Sequence, residues 1–181
     1  IDSYYCSVDF NALQDIIDSN ECLSGVDPLF LGYQEWEDTR LVVLHLDADD
    51  NESNWHNGCE YYDPDTGDDI TLFSIIPETI GDLSELRNLQ IRNTGVEALP
   101  EGIGDLINLT SIVLGYNYEL TSLPESIGNL VNLTSLSLSW YNPITSLPES
   151  IGNLVNLTSL ELMANPITSL PESIGNLNSL E

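Results

Sequence analysis

The chain has 181 residues, 41% of them apolar, which is enough to bury one ordinary core or a short repeat array with a cap. It sets 30 acids against three arginines (Arg40, Arg87 and Arg92) and no lysine, a net charge of −27. That balance argues strongly against nucleic acid, whose phosphates need a cationic footprint, and against anionic membrane surfaces; it fits a soluble extracellular surface, a cation-binding surface or a basic partner.

The chain begins at Ile1 with no basic or apolar leader before the folded part, as expected of a mature chain whose leader has been removed, or of a fragment. No apolar run approaches the ~18 residues that a membrane span needs. Charge is uneven: counting along the chain, 21 of the 30 acids fall in residues 1–85. Residues 1–75 read as an N-terminal cap. Within it, Asp9-Phe-Asn-Ala-Leu13-Gln-Asp-Ile16-Ile17 predicts a short amphipathic helix with Asp9 as its N-cap. Trp36 follows, and then Arg40-Leu41-Val-Val-Leu44-His-Leu46, a first strand.

Residues 47–72 read as an insertion. Cys59-Glu-Tyr-Tyr and Ile70-Thr-Leu-Phe flank the turn Asp63-Pro-Asp-Thr-Gly67, which predicts an acidic hairpin. All three cysteines, Cys6, Cys22 and Cys59, lie in this N-terminal part. In a secreted chain they predict one disulfide and one leftover thiol, with the pair left open; in a cytosolic chain they would be buried thiols. No Cys-x-x-Cys or His/Cys spacing suits zinc.

From residue 76 the sequence repeats with a period of 23 or 24. The units are 76–98, 99–122, 123–146, 147–169 and a partial 170–181, with Leu-Pro-Glu-Ser-Ile-Gly-Asn-Leu recurring almost unchanged. In Leu157-Thr-Ser-Leu160-Glu-Leu162 the alternation at Leu160 and Leu162 is that of a short strand with one buried face. Asn165 is placed to turn its amide inward to neighbouring coils. Pro171 opens a short helical segment, and Ile174 and Leu177 face the same core. One unit cannot bury its own leucines, so stacked neighbours must supply the core, with parallel strands ~4.8 Å apart. Thr94 stands where Asn117, Asn142 and Asn165 stand later, so the first full coil lacks its asparagine rung.

The pattern LxxLxLxxNxL followed by LPxxIG resembles the leucine-rich-repeat family, and the order helix, Trp, first strand is similar to the N-terminal caps of its secreted members. The resemblance implies an α/β solenoid: a curved parallel sheet on the concave side, short helical or 3-10 segments on the convex side, and a non-enzymatic role in binding a protein or glycan partner. The last unit stops midway through a strand, so either the chain continues or another copy stacks there end to end, as in an extracellular fibre or coat.

Four sets of residues are candidate sites. Asn108, Asn132 and Asn156 each begin an Asn-Leu-Thr sequon, and Asn51 begins another; all four are N-glycosylation acceptors in a secreted chain, although Asn-Leu-Thr is also what the repeat consensus supplies. The concave face carries the columns His45, Gln90, Val113, Ser137, Glu161 and Asp47, Arg92, Gly115, Ser139, Met163. Tyr116, Trp140 and Tyr141 sit at the adjacent turn. Arg92, Tyr116, Trp140, Tyr141 and Met163 are the candidate partner surface, against which stands the reading of the rings as filler over the turn. Asp47, Asp49, Asp50 and Glu52 form one acidic cluster. Asp63, Asp65, Asp68 and Asp69 form another that could ligate calcium, although Gly67 falls at the wrong position for an EF-hand and a solvated acidic turn is the preferred reading. No other cofactor is implied. The two histidines, His45 and His56, sit in no catalytic arrangement, and no glycine loop suits phosphate, so an enzyme is not expected.

Overall fold

The computed structural model describes residues 7–24, 26, 28–31, 33–47, 60–62, 69–71 and 73–181. A helix, α1 (Ser7–Asp18), is followed by β1 (Tyr33–Glu37), β2 (Arg40–Asp47), β3 (Glu60–Tyr62), β4 (Asp69–Thr71), β5 (Asn88–Arg92), β6 (Ser111–Gly115), β7 (Ser135–Ser137) and β8 (Ser159–Glu161). Five 3-10 helices, each opening Glu-x-Ile-Gly, sit one per repeat at 78–82, 101–105, 125–129, 149–153 and 172–176. Six strands make one sheet in the order β1-β2-β5-β6-β7-β8; β1 is antiparallel to β2 and every later pairing is parallel. The fold is the solenoid expected from the repeats.

Stacking is what makes each unit stable. Ile103, Leu106, Leu109, Ile112 and Leu114 are all fully buried, as are Ile127, Leu130, Leu133, Leu136 and Leu138 one coil later. Backbone bonds step from coil to coil: the N–H of Thr110 donates to Arg87 O, Thr134 to Thr110 O, Thr158 to Thr134 O, and Glu181 to Thr158 O, at 2.8–3.0 Å. On the opposite side the 3-10 helices approach so closely that a Cβ on Gly128 would lie 2.5 Å from Ser150 O, and one on Gly152 2.5 Å from Ser173 O. The Ser-Ile-Gly of the consensus is therefore a close-approach motif: glycine admits the backbone of the next coil. The helices after the first also receive help from the coil before them. The N–H of Gly102 donates to Glu78 Oε2 at 2.6 Å, and those of Ser126 and Ser150 to Glu101 and Glu125 Oε2 at 3.2 Å.

The inward asparagines form the expected ladder. Asn117 Nδ2 donates to Ile91 O, Asn142 Nδ2 to Leu114 O, and Asn165 Nδ2 to Leu138 O. Thr94 takes over part of the missing rung. Its hydroxyl donates to Asn117 Oδ1 at 2.7 Å and its N–H to the same oxygen at 3.2 Å. The repeat prolines stand just outside the helices, at the N-cap in extended conformation rather than in the first helical position; the Pro171 carbonyl accepts from the Ile174 N–H.

Three features of the cap depart from the sequence reading. The helix starts at Ser7, so Asp9 lies in its first turn and is not the N-cap. Asp9 is fully buried and spans to β2 instead, where its carboxylate accepts from Arg40 Nε at 3.0 Å and from the Leu41 N–H at 2.7 Å. Residues 33–37, expected only to hold Trp36, form an extra strand joined to β2 by a tight turn with positive φ at both Asp38 and Thr39. Buried Asn20 ties the end of α1 to the segment that leads into the first repeat: it donates to Ile16 O and Ile75 O and accepts from the N–H groups of Ser74 and Ile75. β3 and β4 pair as the expected hairpin, Tyr61 opposite Ile70.

Candidate functional site

The registers place the concave columns as expected. His45, Gln90, Val113, Ser137 and Glu161 stand side by side, and Asp47, Arg92 and Gly115 form the second column. In the first column the Ser137 hydroxyl donates to Glu161 Oε2 at 2.9 Å. In the second column one expectation fails: Ser139, placed outward by the alternation, is only 4% exposed. The coils crowd together there, since a Cβ on Gly115 would lie 2.8 Å from Ser139 O. The Ser139 hydroxyl is buried without a hydrogen-bond partner. Met163, at the end of the column, is exposed.

Beside this column the chain turns at the same place in every coil, in the left-handed region: Asn93 (φ 51°), Tyr116 (59°), Trp140 (77°), Tyr141 (56°) and Ala164 (60°). Asparagine adopts that conformation at little cost, whereas a bulky side chain pays for it. Three of the five are nevertheless aromatic. Their backbones are held by the inter-coil ladder, Tyr116 N–H to Trp140 O at 2.6 Å and Trp140 N–H to Met163 O at 2.9 Å. The rings gather. Tyr116 stacks with Trp140 at 6.3 Å between centroids and 5° between planes, and meets Tyr141 at 5.9 Å; Tyr118 stacks with Tyr141 at 6.2 Å. Tyr118 is the member that the sequence reading missed, because it lies beyond the turn in an irregular segment. Trp140, Tyr141 and Tyr118 are exposed, and Tyr116 is half-buried.

Arg92 completes the patch. Its guanidinium carbon lies 5.6 Å from the centre of the Tyr116 ring, inside cation–π range, and its Nε is 3.6 Å from the position of a Cβ on Gly115. Of the three arginines, Arg40 pairs with Asp9 and Arg87 with Glu37. Among the described residues Arg92 has no ion pair, and its Nε has no hydrogen-bond partner.

The sequon asparagines lie on one flank. Asn108 is half-buried, Asn132 and Asn156 are exposed, and each Nδ2 donates to a carbonyl of the preceding coil: Ser84, Ile107 and Val131, at 2.7–2.8 Å. Cys22 is disulfide-bonded. Cys6, Cys59, Asn51 and the candidate calcium ligands Asp63, Asp65 and Asp68 lie outside the described residues, and of Asp69 only its place in β4 is described.

Two leucine-rich-repeat profiles match the chain, "Leucine rich repeat" over residues 84–144 and "Leucine Rich repeats (2 copies)" over residues 131–181. Among solved structures it is similar to the leucine-rich-repeat domain of the type III effector XopL (22% identity, TM-score 0.64, covering 97% of this chain and 64% of that one). It is also similar to a plant ice-binding protein (24%, 0.67, 97% and 54%). The Arabidopsis receptor kinase HAESA, solved with the peptide hormone IDA and the co-receptor SERK1, is a third (22%, 0.51, 80% and 21%). At these identities the likeness is one of fold, and the chain spans less than two thirds of the length of each. No curated protein sequence matches it. Leucine-rich repeats generally mediate contacts between proteins and are generally non-enzymatic. With two profiles running through consecutive repeats from residue 84 to residue 181, on coils that stack as such repeats do, the chain belongs to the leucine-rich-repeat family.

Proposed function

We propose that the chain is a non-enzymatic extracellular binding module that holds a protein or glycan partner on the concave face at Arg92, Tyr116, Trp140, Tyr141 and Met163. The observation that carries this reading is the cluster of exposed aromatic rings set on left-handed backbone. A monomer gains nothing by exposing rings there at a conformational cost, and strained exposed residues concentrate where a surface is used. Filler rings over a turn would be buried by it. The extracellular placement rests on the sequons at Asn51, Asn108, Asn132 and Asn156 as N-glycan acceptors, and on the Cys22 disulfide. The test is a glycan and peptide array probed with the native chain and with the double variant Tyr116→Asn/Trp140→Ala. Signals that vanish in a variant with unchanged circular dichroism support the reading; the same signals from both proteins sink it.

A second reading has its own observation. Leu170, in the last coil, is 51% exposed, whereas its counterpart Leu147 one coil earlier is 5% exposed. Leu180 is exposed as well, and a Cβ on Gly175 would meet nothing within 4 Å. Where no further coil of the same chain covers this face, a second copy stacked on it would make the protein a subunit of a fibre or coat. Sedimentation across a concentration series, with and without a polar capping coil fused after Glu181, decides: assembly abolished by the cap supports stacking, and a chain that stays monomeric without it removes the reading.

A further inference from the structure

The patch on the concave face has a chemistry more specific than aromatic. Its one cation, Arg92, is the only arginine in an ion pair with nothing among the described residues, although the chain carries 30 acids. The Tyr116 ring at 5.6 Å holds the guanidinium. A guanidinium presents a planar fork of donors that matches a carboxylate in bidentate geometry. The first column adds the Gln90 amide and Ser137, whose hydroxyl donates to Glu161 Oε2. The rings of Tyr116, Trp140, Tyr141 and Tyr118 follow, spread over two coils.

A peptide anchored on such a surface would need apolar pockets for its side chains, and Met163 is the one exposed aliphatic side chain in the columns. A pyranose needs what is present: aromatic surface for its C–H groups, and hydroxyl and amide partners for its hydroxyls. The net charge narrows the ligand further. A chain of −27 repels a dense polyanion at long range, whereas charges beyond the Debye length of about 8 Å are largely screened at physiological salt. One isolated carboxylate delivered to Arg92 therefore escapes the repulsion of the distant acids, although Asp47 stands beside Arg92 in the column.

Resting on the concave-face reading, we infer that the patch is a glycan site that takes a neutral oligosaccharide bearing a single uronic acid, with the rings stacking the sugars and Arg92 receiving the carboxylate. The test is calorimetry in 0.15 M salt with xylotetraose carrying one glucuronic acid, compared with the same compound after reduction of its carboxyl group to the alcohol. The acid form should bind about tenfold or more tightly than the reduced form. Arg92→Gln should abolish that difference, so that the acid and reduced forms bind with one equal, weaker affinity. Arg92→Lys, which keeps the charge and loses the fork, should fall between, and circular dichroism reports the fold of both variants. Equal binding of the two oligosaccharides, lost in Trp140→Ala, would overturn the role of Arg92 and leave the concave-face reading standing. Binding of neither, or array signals confined to peptides, would overturn the glycan site outright.

Discussion

Replacing Gly128 by alanine sets a methyl group 2.5 Å from the Ser150 carbonyl oxygen and 2.6 Å from Ser150 Cβ. Ordinary contact begins at 3.4 Å, so the neighbouring coil must retreat by about 0.9 Å, and neither obstacle can rotate away because both are fixed to the backbone. Overpacking of this kind costs about 1–3 kcal/mol. Alanine recovers about 0.5–1 kcal/mol of the backbone entropy that glycine loses in a helix. The net loss is about 1–2 kcal/mol, which for a chain of this size lowers the melting midpoint by roughly 2–8 °C. Gly175 occupies the same place in the last coil, where the methyl group would meet nothing within 4 Å. Gly175→Ala should therefore melt at or slightly above the wild-type midpoint. Thermal melts of the two variants side by side check the reasoning. If both alanines cost the same, the consensus glycine is kept for its backbone freedom and the close-approach argument is wrong.

Other perturbations follow from the same geometry. Asp9→Ala removes the carboxylate that Arg40 Nε and the Leu41 N–H share and should cost about 2–3 kcal/mol in urea unfolding; a smaller loss than 1 kcal/mol would mean that the cap does not depend on this tie. Asn20→Ala removes three hydrogen bonds from the end of α1 to Ser74 and Ile75, and a fourth to Ile16 O, and should speed hydrogen exchange at Ser74 and Ile75 before it affects the coils beyond residue 99. Tyr116→Asn keeps a residue suited to positive φ and removes the ring. It should leave stability unchanged or raise it by up to about 1 kcal/mol while weakening ligand binding, and a destabilised variant would show that the ring is structural filler.

The repeat was legible because its signals are local and recur in register. Leu160 and Leu162 alternate, Asn165 returns at a fixed offset, and every coil repeats the statement. The cap was legible only in part. The tie between Asp9 and Arg40 joins residues 31 apart, and nothing near either of them announces it. β1 was hidden because its turn uses Asp38-Thr39, both in left-handed conformation, without the glycine that normally signals such a turn. The columns of the concave face followed from the pairing period of two, which placed Arg92 beside Gly115. Burial of Ser139 did not, because it depends on how closely two coils approach at one point. Tyr118 joins the aromatic cluster through the irregular segment after the turn, where periodicity carries no information.

Hydrogen–deuterium exchange of the native chain, alone and saturated with its strongest array ligand, tests the concave face most directly as the binding surface. Protection should rise over residues 113–118 and 137–141 and stay unchanged over the 3-10 helices at 125–129 and 149–153. Protection confined to the asparagine flank at 108, 132 and 156, or to the last coil beyond residue 170, would contradict it.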